Sequence, residues 1–176
     1  LSSVDARGHA VALTTSIEAQ FGARLMVDSG RGLAGGFLLN NQLTDFSFAP
    51  RDASGAPAAN RVQPGKRPRS SMSPTFAFER DGAALRLVLV TGSPGGPAIP
   101  HYTAKTLLAT LVWGFDAQAA ADAPNFAAVG GPLLFERGRW PATTLDALRA
   151  RGHALRETEL TSGVHTLLRT PRGWAG

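Results

Sequence analysis

Two short polar stretches carry the residue types that could bind and polarise an acyl substrate. Gly65-Lys66-Arg67-Pro68-Arg69-Ser70-Ser71-Met72-Ser73-Pro74-Thr75 sets adjacent hydroxyls beside three basic side chains, and Thr91-Gly92-Ser93-Pro94-Gly95-Gly96-Pro97 offers consecutive glycine amides. Without a β-carbon, Gly95 and Gly96 leave their N–H groups open to an approaching oxygen. Hydroxyls, cations and bare amides together are the makeup of an anion and oxyanion site. Both stretches also read as ordinary turns, because Gly, Pro and Ser dominate turns for their own conformational reasons. A third block runs from Gly36 to Phe46 and holds Asn40, Asn41, Gln42 and Asp45 between the bulky anchors Leu43 and Phe46 and an apolar triplet. Such groups need partners, since an unpaired buried polar group costs about 1–3 kcal/mol. The partners are either a ligand or neighbouring elements that the block caps.

Other chemistries have no support in the residues. The sequence contains no Cys, so disulfides, a thiolate nucleophile and a Cys-based zinc site are all excluded. Its four histidines, His9, His101, His153 and His165, share no metal-ligand spacing, and neither a metal nor a cofactor is expected. Gly92-Ser93-Pro94-Gly95 lacks the small-x-Ser-x-Gly nucleophile elbow, and Pro94 removes one amide that an elbow would use. No phosphate loop has the required Gly and Lys spacing. Lys and Arg number 18 against 13 Asp and Glu, but the arginines are spread along the whole length, so no nucleic-acid partner is expected. No apolar run approaches the ~18 residues of a membrane span. The site therefore has binding groups and amide donors but no evident nucleophile of its own.

The elements that must position these groups follow from pattern. Leu1–Val4 and His9–Ile17 read as a hairpin around Asp5-Ala6-Arg7-Gly8, so the chain begins inside a sheet. Leu25-Met26-Val27 is a short apolar piece, and Asp28-Ser29-Gly30-Arg31-Gly32 a flexible loop. Ser47 to Gln63 shifts to Ala, Pro, Gly, Asp and Asn and reads as an exposed, mobile connection able to close over a site. Asp81-Gly82 joins strands at Phe76–Arg80 and Ala84–Val90, the strongest hairpin signal in the chain. Leu107, Leu108, Leu111, Val112 and Phe115 predict a helix over His101–Phe115, with Gly114 as a left-handed cap. Asp116 is the N-cap of a second helix that stops before Pro124. Pro132–Glu136 is a strand, and Thr143-Thr144-Leu145-Asp146 has capping-box spacing for a helix ending at Arg151-Gly152. Ala154–Leu160 and Gly163–Thr170 are strands flanking Thr161-Ser162, and Pro171-Arg172-Gly173 is a turn. With no repeat and strand partners lacking at both ends, residues 1–176 read as a single domain of α+β class with mainly antiparallel sheets, truncated at both ends, either cut from a precursor or a piece of one.

Three long, ordered motifs then narrow the reading: Phe37-Leu38-Leu39-Asn40-Asn41-Gln42-Leu43-Thr44-Asp45-Phe46-Ser47, Pro64 through Thr75, and Thr91-Gly92-Ser93-Pro94-Gly95-Gly96. They closely resemble the small subunit of the γ-glutamyltransferases (γ-glutamyltranspeptidases), and the resemblance extends with decreasing strength from Leu1 to Gly176. It implies the αββα sandwich of N-terminal nucleophile hydrolases and a zymogen that cuts itself autocatalytically, freeing a Thr that is nucleophile and, through its α-amine, general base. That Thr is expected just ahead of Ser2-Ser3-Val4-Asp5, upstream of Leu1. The partner implied is the large subunit of the same precursor. The substrates implied are glutathione or other γ-glutamyl compounds as donors, with water, amino acids or peptides as acceptors, and the compartment implied is periplasmic or secreted.

Residue by residue, the resemblance places Ser16 where a Thr hydroxyl usually orients the nucleophile. Ser70 and Ser71 match the pair on the α-carboxylate of the γ-glutamyl group, and Gln42 and Asp45 match residues on its α-ammonium. Gly95 and Gly96 match the oxyanion-hole amides. One position departs: Glu18 stands where many members have Asn near the ammonium. An added carboxylate there strengthens attraction for the ammonium but meets like charge on Asp45 and on the substrate carboxylate. The connection after Ser47 lacks the aromatic gate of some members. Two further readings stay open, an acylase of this fold with a different acyl donor and a non-catalytic fragment that serves as an interaction module.

Overall fold

The chain divides into two compact units, one made of Leu1–Thr14 with Ser71–Gly176 and the other of Thr15–Ser70. The computed structural model describes residues 1–28, 30, 32 and 35–176. In the larger unit β1 (Ser2–Val4) and β2 (Ala10–Ala12) form the expected N-terminal hairpin, with Asp5 accepting from the backbone N–H groups of Arg7 and His9 to shape its turn. β2 is shorter than the sequence pattern predicts: Leu13 still exchanges both backbone hydrogen bonds with Leu1, and Thr14 to Ile17 lie outside the ladder. The smaller unit holds the two-residue strands β3 (Met26–Val27) and β4 (Phe37–Leu38), paired antiparallel. The loop expected at Asp28-Ser29-Gly30-Arg31-Gly32 includes Ser29 and Arg31, which lie outside the described residues.

The long hairpin of the larger unit forms as its turn residues dictate. β5 (Thr75–Asp81) and β6 (Ala84–Gly92) pair antiparallel, with Asp81 still opposite Ala84, so Gly82 and Ala83 make the turn. Gly82 supplies the positive φ of +60° that such a two-residue turn needs. A helix α1 (Ile99–Leu111) follows, two residues earlier than the spacing predicts because Pro100 is favoured in the first turn. α2 (Ala117–Asp122) is capped as expected: the Asp116 carboxylate accepts from Ala119 N at 2.7 Å. Then come β7 (Phe126–Ala127), β8 (Leu133–Glu136), α3 (Ala142–Ala150), β9 (Leu155–Thr158), β10 (His165–Thr170) and β11 (Gly173–Ala175).

Two sheets result in the larger unit besides the N-terminal hairpin. One has the order β11-β10-β6-β5 and is antiparallel throughout. The other has the order β7-β8-β9, with β8 and β9 parallel. Thus the two strands flanking Thr161-Ser162 belong to different sheets. The Pro171-Arg172-Gly173 turn also leads somewhere, since Arg169 pairs with Trp174 across a terminal hairpin. Along β6 the inner half, Leu89 and Val90, is fully buried, and α1 packs against this strand and β7.

α1 buries an ionisable side chain in this core. Lys105 is 2% exposed, and its ammonium donates to Ala123 O at 2.5 Å and to Asn125 Oδ1 at 3.0 Å. Asn125 in turn donates to Ser162 Oγ at 3.1 Å and takes Trp140 Nε1–H on its carbonyl. Desolvation holds the Lys105 pKa below its ordinary value, partly offset by the Glu136 charge. Between that lowered value and the unfolded lysine value of about 10.4, the unfolded chain holds more protons, so stability rises with pH. Denaturant unfolding of the full-length protein across the alkaline range up to about pH 10 is expected to show that rise. Lys105→Met is expected to flatten it, and an unchanged slope would remove Lys105 as its source.

Candidate active site

Each unit gathers part of the expected residue set. In the smaller unit Ser16 makes a tight turn, its Oγ accepting from Glu18 N at 2.8 Å. The Gln42 side-chain amide donates to Ser16 O at 2.9 Å, which ties the start of the polar block to this turn. Gln42 and Asp45 bound one 3-10 turn, Gln42–Asp45, and so share a short rigid segment that the buried Phe46 anchors. The Asp45 carboxylate has no hydrogen-bond or ion-pair partner among the described residues, while its backbone carbonyl accepts from Asn60 Nδ2 at 2.6 Å. Asp45 is thus an available carboxylate on a fixed turn.

Glu18 is built differently from an ordinary surface acid. Its φ is +74°, in the left-handed region that costs a non-glycine residue about 1–2 kcal/mol and that Asn tolerates best. This is a backbone reason for Asn at that position. Asn41 holds the residue in place: its side-chain NH₂ donates to Glu18 Oε2, and its Oδ1 accepts from Ala19 N at 3.0 Å. Asn41 also meets Thr44 three residues on, but its ties to Glu18 and Ala19 span more than twenty residues, and no local signal announces them.

Asn60 is a second such tie. It accepts from Arg69 N on Oδ1 at 3.1 Å while donating to Asp45 O, so the segment leading into Ser70 and the turn ending at Asp45 share one side chain. The connection expected to be mobile is internally bonded. Asp52 Oδ1 accepts from Ser54 N, Ser54 Oγ and Ala56 N, and Arg51 and Pro57 form a bridge. These bonds, Ser54 foremost, hold the exposed Asp52 carboxyl below its ordinary pKa. The connection does carry one aromatic ring, Phe48, which is 90% exposed.

The larger unit holds Ser71, Gly95 and Gly96, the division between the units falling between Ser70 and Ser71. Ser71 Oγ donates to Gly96 O at 2.7 Å. Gly95 O accepts from Ala98 N at 3.2 Å, and Gly96 O also closes a 3-10 turn with Ile99 N. Both carbonyls are engaged, whereas neither glycine amide donates to an acceptor among the described residues. The φ values of +140° and +55° turn the peptides of Gly95 and Gly96 so that consecutive N–H groups sit on a loop ahead of α1. Two fixed amides without acceptors are suited to an oxygen that gains negative charge. Three prolines stand next to the glycines or nearby, and Pro94 is packed by Gly163, at which a β-carbon would lie 2.8 Å from Pro94 Cγ.

No group of three or more His, Cys, Asp or Glu among the described residues is arranged to hold a metal ion. No helix among them is long and apolar enough to cross a membrane.

Comparison with known proteins gives consistent matches. A family profile described as gamma-glutamyltranspeptidase matches residues 1–176. A glutathione hydrolase proenzyme of Bacillus subtilis strain 168 is 37% identical over 150 residues, covering 85% of this chain and 23% of that protein. The glutathione hydrolase proenzyme of Escherichia coli K12 is 35% identical over 182 residues, covering 98% of this chain and 29% of that protein. Among solved structures, a Helicobacter pylori gamma-glutamyltranspeptidase variant superposes with a TM-score of 0.81 at 29% identity, covering 99% of this chain and 94% of that one. This chain therefore spans about a quarter of the length of the curated relatives it matches.

The left-handed backbone at residue 18 sets a stability test. Glu18→Val should lower the unfolding free energy by about 1 kcal/mol, since a β-branched residue resists φ > 0 more than Glu does and cannot accept from Asn41. Glu18→Asn should leave it near the parent value, as read from denaturant midpoints. Equal stability of all three proteins would mean that the strain is absent in solution.

Proposed function

The chain belongs to the γ-glutamyltranspeptidase family, with the α+β architecture of the N-terminal nucleophile hydrolases, and from that premise we propose that it is the small-subunit part of an enzyme that transfers or hydrolyses γ-glutamyl groups. The observation that carries the reading is the loop at Gly95-Gly96, where two amides without acceptors among the described residues lie beside the Ser71 hydroxyl. In this reading the donor is glutathione or a related γ-glutamyl compound. Its α-carboxylate is taken by Ser70 and Ser71, the Ser71 hydroxyl turning its proton from Gly96 O to the carboxylate, and its α-ammonium by Asp45 with Gln42. Glu18, steadied by Asn41, adds a second carboxylate for the ammonium.

The reaction proceeds on a Thr outside this sequence, expected ahead of Leu1. The Thr hydroxyl adds to the γ-carbonyl carbon as its proton passes to the Thr α-amine, and the negative oxygen is met by the Gly95 and Gly96 amides. The C–N bond then breaks, the leaving amine takes that proton, and a γ-glutamyl ester remains. Water or an amino acid opens the ester and restores the Thr hydroxyl. Ser16 orients the nucleophile through its hydroxyl, which the structure already uses locally on Glu18 N. The partner in this reading is the large subunit of the same self-cleaving precursor. Exposed apolar side chains on the long hairpin, Phe78 at 53% and Leu85 at 62% exposure, support a partner surface of that kind. Export to the periplasm or cell exterior belongs to the same proposal.

A second reading, an acylase with a different acyl group, is favoured by Glu18 alone, since its charge opposes the carboxylate of a γ-glutamyl donor. Free glutamate separates the two readings.

The full-length protein is expected to release aniline from a chromogenic γ-glutamyl anilide, with free glutamate competing. Asp45→Ala should raise the KM for this donor by at least about tenfold, the loss of a charge-assisted hydrogen bond to the ammonium. Turnover without glutamate competition would favour the acylase, and parent-like kinetics of Asp45→Ala would remove Asp45 from the donor site.

A further inference from the structure

The loop carrying the two free amides is held from one side by an aromatic ring that the reading above does not use. Tyr102 is 2% exposed on α1, within a cluster that includes Ala98, Ala127 and Leu160. Its ring lies against the α-carbon of Gly95: a β-carbon there would meet Tyr102 Cε2 and Cδ2, the latter at 2.8 Å, with Thr161 O at 3.6 Å. From the other side the segment after Thr161 closes in. Gly163 N donates to Ser93 Oγ at 3.4 Å, and the Gly163 α-carbon sits close against Pro94. Ser93 is itself fully buried and donates to Pro94 O at 2.7 Å.

The loop is therefore fastened everywhere except at its amides. Gly95 O is held by Ala98 N, Gly96 O by Ser71 Oγ, and the Gly95 α-carbon is walled by carbon atoms of the Tyr102 ring. A backbone at φ +140° has no local preference to stay there, because glycine also populates other regions readily. Something non-local has to select that conformation, and the ring is the largest group in contact with it.

We propose that Tyr102 is a positioning residue whose ring, not its hydroxyl, holds the Gly95 peptide so that the Gly95 and Gly96 amides converge on one oxygen. This rests on the reading of those amides as the oxyanion donors. Because the negative oxygen develops only as the reaction proceeds, misaligned amides slow turnover and leave donor binding intact. The role is thus distinct from plain core packing, which would lower stability without separating kcat from KM.

The test uses the full-length protein and a γ-glutamyl anilide, with Tyr102→Leu, Tyr102→Met and Tyr102→Phe. Tyr102→Leu is expected to lower kcat by about tenfold or more, a fraction of the ~100-fold or larger loss on removing an oxyanion donor. KM should stay within about twofold to threefold, and competition by free glutamate should be unchanged. Tyr102→Phe is expected to restore kcat, because the contacting atoms are ring carbons. Tyr102→Met carries the same comparison at nearly the same volume should the Leu variant fail to fold. Parent-like kcat in the Leu and Met variants overturns the proposal, as does a kcat loss in Tyr102→Phe equal to theirs or a rise in KM that accounts for the whole loss. A parent protein that turns over no γ-glutamyl donor overturns the proposed function itself, an outcome distinct from an active parent with an indifferent Tyr102.

Discussion

What the larger unit contributes to the candidate site depends on a glycine, Gly95, whose position has no room for a side chain. Gly95 and Gly96 both take positive φ, and the approach of the Tyr102 ring leaves no room for a β-carbon at Gly95. Those two facts reinforce each other. The left-handed conformations free the amides from helix and sheet ladders, and the lack of a β-carbon lets the core of the larger unit close directly on the loop. Ser71 fastens the Gly96 carbonyl with its single hydroxyl proton, so in the proposed reading the same hydroxyl must leave that carbonyl to donate to the substrate carboxylate.

The smaller unit solves a different problem, that of holding carboxylates and amides ready in a chain with little regular structure. Its strands are two residues long and its helix a single 3-10 turn. Asparagines take over the work of the missing ladders. Asn41 joins the polar block to Glu18 and Ala19, and Asn60 joins Asp45 to Arg69. An amide side chain donates and accepts at once, so a single residue can bind two strands of loop that share no backbone pairing. The Asp52 side chain ties the long connection purely as an acceptor, its Oδ1 taking three donors from Ser54 and Ala56, which is why a composition typical of a mobile loop yields a self-bonded one.

Local chemistry was legible wherever the decisive partner lies within a few residues. Asp81-Gly82 and the Asp116 cap are of this kind, since a left-handed glycine and a carboxylate three residues from its N–H need nothing distant. The capping-box reading at Thr143 misplaced its helix start because a second local signal competes. Pro141, with φ −58°, takes the N-cap position, its carbonyl accepts from Thr144 N and Leu145 N, and Thr143 is already inside the first turn. The separation of β9 and β10 into different sheets had no local signal at all. β9 runs parallel to β8 across α3, and β10 goes to β6, pairings set by which apolar edges the core leaves open.

The residue types, the glycine pair, the hydroxyl pair and the polar block at Asn40–Asp45 belong to the sequence alone, because chemical identity and order need no partner. Their family likeness was readable for the same reason. Tertiary structure decided which of these groups are engaged and which are free. Among the described residues it occupied the carbonyls of Gly95 and Gly96 and left their amides without acceptors, paired Glu18 with Asn41, and left the Asp45 carboxylate without a partner. Such choices come from contacts between residues as far apart as Gly163 and Ser93, whose meeting depends on how two sheets and a helix pack, and no window of neighbouring residues contains that information.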